Sequence, residues 1–199
     1  MTAGVAAVIV IAVTAVLLTL NILSIGPWSS TRITDAEIEA EISYLQEQSP
    51  ELFEGEYATI SADELRERIR RHLEDRNLLV AEAKKRGIED VTEQFEKSYH
   101  AIESGYGGRD HFEYYLSIKG VDEKQLKRNL EANIIINELA KSLVDEKDLT
   151  EAELHNYYET NKSRYPIDFE KARAQVIADL LGKKRAEAID ELLESLRDV

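Results

Sequence analysis

No lysine, arginine, aspartate or glutamate occurs before Arg32, and this feature divides the 199-residue chain between two solvents. From Ala3 to Gly26 the sequence AGVAAVIVIAVTAVLLTLNILSIG offers only Thr14, Thr19, Asn21 and Ser24 as polar side chains. At about 1.5 Å per helical residue, such a stretch crosses a hydrocarbon core of roughly 30 Å. Residues 1-26 therefore read as a transmembrane signal anchor. A cleaved signal peptide and a buried core helix are the competing readings, but a signal peptide expects a basic n-region and an A-x-A-like exit. Here the best exit, Ser24-Ile25-Gly26, is followed by Pro27. Trp28 suits a membrane interface, whereas Arg32, the one basic residue nearby, does not fix the orientation.

Residues 27-33 are small and turn-forming and read as a linker. The remainder, 34-199, is long enough for one domain with a real core. From Arg32 onward the chain carries 25 basic and 39 acidic side chains, a net charge of −14. That field disfavours nucleic acid, whose phosphates need clustered Lys and Arg, and favours basic clients. With no cysteine, disulfides and thiolate chemistry are excluded.

The soluble part reads as all-α. Four pairs have the capping-box spacing: Thr34 with Glu37, Ser61 with Glu64, Asp90 with Glu93 and Thr150 with Glu153. Apolar stripes follow them, among them Ile38, Ile42, Leu45 and then Leu65, Ile69, Leu73, Leu79, Val80, Ala83. Gly87 and Gly120 are helix stops, and PELFEGEYATI, from Pro50 to Ile60, reads as a loop. A helix from about Asp122 to Leu143 is apolar on more than one side and should be the most enclosed. A final helix opens near Asp168, just after Pro166.

Chemistry is sparse. His72, His100, His111 and His155 are scattered, and His155 with Glu159 supplies only half of a tetrahedral metal set. YGGRD, from Tyr106 to Asp110, lacks the phosphate-loop pattern. No catalytic residue, cofactor or metal site is expected. Aromatic placement is more informative, because neighbours on a helix diverge by about 100° and an adjacent pair cannot share one core face. One member of Tyr114/Tyr115 and one of Tyr157/Tyr158 should therefore reach a groove or rim, which makes these four the candidate polypeptide-binding residues. The alternative is that their hydroxyls simply lie at the core edge, where an amphipathic ring is at home.

Three segments carry a resemblance: RIRRHLEDRNLLVAEAKKRGIE (Arg68 to Glu89), FEYYLSIKGVDEKQLKRNLEANIIINEL (Phe112 to Leu139) and LTEAELHNYYETNKSRYP (Leu149 to Pro166). In this order they resemble the SurA N-terminal-like chaperone domain of parvulin-type envelope foldases, including the PpiD and PrsA types. In that family a parvulin domain follows the segment ending in Tyr, and a helix similar to FEKARAQVIADLLGKKRAEAIDELLESL returns to complete the core. Here Tyr165 to Asp168 stands in its place, and no glycine-rich, strand-bearing segment is present. The resemblance implies a membrane-anchored, extracytoplasmic chaperone-like protein. It would bind unfolded or nascent envelope or secreted polypeptides without catalysis. An adaptor docking one folded envelope partner and a relative of the prolyl isomerases with residual activity are the alternatives.

Overall fold

The computed structural model describes residues 33–197, and within them every regular element is helical. The anchor expected at 1-26 and all but the last residue of the linker lie outside the described residues. Among the described residues no helix is long and apolar enough to cross a membrane. The elements are α1 (Asp35–Gln48), α2 (Pro50–Glu54), α3 (Ala62–Lys85), α4 (Thr92–Gly105), α5 (Arg109–Lys119), α6 (Glu123–Leu143), α7 (Glu151–Thr160) and α8 (Phe169–Arg197). Short 3-10 turns occupy Glu56–Thr59, Glu146–Asp148 and Lys162–Arg164.

Two of the four expected capping boxes form completely. The Thr34 hydroxyl accepts the Glu37 N–H, and the Glu37 carboxylate accepts the Thr34 N–H at 2.7 Å. Thr150 and Glu153 repeat this geometry at the start of α7. Both helices add a hydrophobic staple: Ile33 packs in one core with Ile38, and Leu149 in another with Leu154. The last linker position is thus core. At α3 only half the box exists, since Ser61 accepts from Glu64 while the Glu64 carboxylate turns to Arg68 at 3.0 Å. The fourth box does not form: α4 starts at Thr92, and Asp90 accepts the Thr92 N–H two residues on, an Asx-type turn.

PELFEGEYATI is not a loop. Pro50 occupies the first turn of α2, where its missing N–H is harmless, and Phe53 meets Tyr57 edge-on at 5.4 Å. Gly87 takes φ +82°, which lets Ile88 donate back to the Ala83 carbonyl and close α3.

The chain divides into two compact units, Met1–Ile136 and Asn137–Val199. In the first, α1 packs on α3 through Ile38, Leu45, Ile69 and Leu73, and α4, α5 and α6 share a core of Tyr99, Phe112 and Leu116 flanked by Leu126 and Leu130. In the second, α7 and α8 close over Leu154, Tyr158, Tyr165, Ala172, Val176 and Leu180. The leucines, isoleucines, valine and phenylalanine among these each contribute roughly 1.5–3 kcal/mol by leaving water. Along α6 no residue from Gln125 to Ala140 is exposed, the enclosure its wide apolar surface foretells.

Candidate functional site

The adjacent tyrosines diverge as helical geometry requires. On α5, Tyr114 is 67% exposed while Tyr115 is half-buried against the Tyr99–Phe112–Leu116 core. One turn beyond Tyr114, on the same face, Ile118 is 60% exposed. On α7, Tyr158 is core: it donates to the Ile167 carbonyl at 2.9 Å and stacks on Tyr165. Tyr157 is half-buried, receives Arg164 at 3.3 Å and lines a cleft of about 450 Å³ with Asn156, Lys183 and Lys184. Tyr114 and Tyr115 belong to the first compact unit, Tyr157 and Tyr158 to the second.

The carboxylates most displaced from ordinary behaviour are held by cations. Glu123, at the start of α6, receives both Arg109 terminal nitrogens at 2.9 Å, the Lys127 ammonium at 2.8 Å and the Tyr99 hydroxyl at 2.6 Å. Its pKa is lowered to about 2, Arg109 being the largest cause. The same Arg109 reaches Glu103 at 2.8 Å, so one guanidinium ties together α4, α5 and α6. In the second unit Lys184, ahead of the capping contacts, lowers Glu153 to about 2. A carboxylate held this far below neutrality is a poor proton carrier at pH 7, so both act as clamps. His155 stacks on Phe169 at 3.8 Å and Glu159 pairs with Lys162 at 3.0 Å, which turns that spaced pair to separate contacts.

The interior of the first unit is unexpectedly polar. Glu41 of α1 is 0% exposed, Arg76 of α3 1% and Asn129 of α6 2%. Burial draws the Arg76 guanidinium down to about 10, and the Glu41 carboxylate is the largest influence opposing that fall. Tyr44 on α1 has its hydroxyl pushed up, first by burial and then by Glu41. Tyr44 also faces Asn129 and Tyr115, and the Tyr115 ring lies 4.5 Å from that of Tyr106. A cavity of about 410 Å³ opens beside Tyr44, walled by Ala40, Ser43 and Gln46 of α1 and by Lys119 to Asp122 and Gln125. Of the four tyrosines singled out from the sequence, Tyr115 is the one tied to this polar interior.

Sequence periodicity missed these groups, although it held a signal for them. Ile38, Glu41 and Leu45 are spaced i, i+3, i+7; Leu73, Arg76 and Val80 likewise; and so are Asn129, Ala132 and Ile136. In each triplet one polar residue occupies a stripe position that the neighbouring apolar residues mark as buried. Compared with known proteins, the chain matches no family model, no curated relative and no solved structure. The class established is that of an all-helical protein.

Proposed function

We propose that the chain is a membrane-anchored, extracytoplasmic chaperone-like protein that binds unfolded or nascent envelope or secreted polypeptides without catalysing a reaction on them. The observation that carries this reading is the exposed pair Tyr114 and Ile118 on one face of α5, backed by half-buried Tyr115. Large apolar side chains presented to solvent on a rigid helix offer weak, sequence-tolerant contact to extended chain. The charge of −14 keeps a loaded complex soluble. The resemblance of Arg68–Glu89, Phe112–Leu139 and Leu149–Pro166 to the SurA N-terminal-like domain supports the same reading, and an apolar 1-26 segment would hold the site near clients emerging at a membrane.

The test is aggregation of a chemically unfolded client, followed by light scattering with the full chain in nanodiscs. Delay by stoichiometric protein, reduced severalfold in Tyr114→Ala/Ile118→Ala, is the expected outcome. No delay across several unrelated clients overturns the reading. The compactness of the patch, two large side chains on one turn, favours a second reading in which a single folded envelope partner docks there. A pull-down returning one stoichiometric protein, with no retention of unfolded chain, is the result that would select it.

A further inference from the structure

Asp110, Tyr114 and Ile118 lie at i, i+4 and i+8 on α5, so each follows the last by about 6 Å along the axis and by about 40° around it. All three are exposed, Tyr114 and Ile118 by well over half of their surface. Their polar neighbours are engaged elsewhere: Ser117 donates to the Tyr114 carbonyl at 2.7 Å, and His111 lies 3.3 Å from the Gly107 carbonyl. The outer face of α5 is therefore a short strip, one carboxylate followed by two large apolar side chains.

That carboxylate differs from those around it. The Arg109 guanidinium reaches Glu113 at 2.5 Å, Glu103 at 2.8 Å and Glu123 at 2.9 Å, and Lys127 brings a second cation to Glu123. Lys119 and Asp122 add one charge of each sign at the far end of the helix, beyond Ile118. Among the described residues no ion pair reaches Asp110, so its charge is the uncompensated one on this face. The field of the whole chain has the same sign.

An extended chain presents every second side chain to one side, at about 6.6–6.8 Å, close to the rise of about 6 Å that separates Asp110, Tyr114 and Ile118. Three alternate positions of such a chain can therefore meet the three side chains in turn. A cation opposite Asp110 gains an ion pair, and apolar side chains opposite Tyr114 and Ile118 leave water. An acidic residue at the first position would instead face a carboxylate within a field of its own sign.

We propose that this strip selects clients by charge, binding extended segments in which a lysine or arginine and then two apolar residues occupy alternate positions. The inference rests on the polypeptide-binding reading above and names its substrate class. An exposed ion pair adds little energy, so the selection is a bias of about two- to fivefold at low salt, laid over apolar contact that many sequences can make.

The test uses the full chain in nanodiscs of zwitterionic lipid and three fluorescent peptides that differ at one position, lysine, glutamine or glutamate, placed two residues before the first of two leucines spaced by a serine. Binding is read by anisotropy at low salt, with empty nanodiscs as the blank, beside capture of a chemically unfolded client protein. The strip is supported when the lysine peptide binds about two- to fivefold tighter than the glutamine peptide and the glutamate peptide more weakly still. The lysine–glutamine gap should close in Asp110→Asn, which alters an exposed side chain and leaves the core untouched, and Tyr114→Ala/Ile118→Ala should weaken all three peptides. A gap that survives in Asp110→Asn belongs to the net charge of the chain and overturns the strip. So do equal affinities for the three peptides, indifference to Tyr114→Ala/Ile118→Ala, or client capture with no peptide bound, and in each case polypeptide binding stands. If neither the peptides nor the client bind, the reading of the protein as a polypeptide binder falls with the strip.

Discussion

In the unit that begins at Asn137, the buried tyrosine hydroxyls have acceptors: Tyr158 donates to the Ile167 carbonyl at 2.9 Å and Tyr165 to Asp179 at 2.6 Å. In the unit that ends at Ile136, the enclosed polar groups include charges, Glu41 and Arg76, together with Asn129, which hydrogen-bonds Tyr44. Both interiors are helical and both are built on leucine, isoleucine and aromatic side chains. The difference teaches that polarity is architecture in the second unit, where it joins α7 to α8. In the first it also lies inside the core, where Glu41 and Arg76 compensate each other between α1 and α3.

The largest expected effect breaks the charge balance of the first unit. Arg76→Ala strands Glu41 in a dry interior and should lower stability by about 3–5 kcal/mol, read as a shifted urea midpoint. Restoring neutrality with Glu41→Gln on that background should recover part of the loss. Next, Leu154→Ala in the apolar core of the second unit should cost about 2–5 kcal/mol by the same assay, since α7 and α8 cannot collapse fully around the void.

Asn129→Leu sharpens the contrast: deleting the amide that hydrogen-bonds the Tyr44 hydroxyl should lower the unfolding midpoint, by about 1 kcal/mol, whereas an unchanged midpoint would show that Tyr44 finds another partner. Tyr165→Phe, the counterpart in the second unit, should cost about 1.5–3 kcal/mol, the range for a hydrogen bond to a charged acceptor, detectable as a lower melting temperature. The smallest effect is the pH dependence at Glu123. Its folded pKa, about 2, lies below the unfolded value of about 4.3, so its contribution is complete above the unfolded value and is lost as pH falls toward 2. Glu123→Gln should flatten that acid limb when midpoints are measured from pH 2 to 6.

Much of the fold was legible because local rules agreed with one another. Thr34 and Thr150 had their glutamates three residues on and their staples at Ile33–Ile38 and Leu149–Leu154, so both helix starts were overdetermined. Asp90 had the same spacing, but its carboxylate found the nearer Thr92 N–H, a choice that composition does not encode. Divergence within each tyrosine pair followed from helical geometry. Which partner faced outward depended on packing: the first member is the more exposed in both pairs. The polar interior escaped because charged and amide residues in a helical sequence are read as solvent-facing. Arg76 and Glu41 belie that rule by sitting in stripe positions and compensating each other across α1 and α3.

The turn from Tyr165 to Asp168 has a practical consequence. The Ile167 carbonyl is held by Tyr158 while the Ile167 side chain is exposed, and the chain contains no cysteine. Ile167→Cys would therefore place a unique thiol on a backbone pinned from beneath. A spin label attached there would be a spectroscopic reporter whose motion follows the unit as a body and leaves its core untouched.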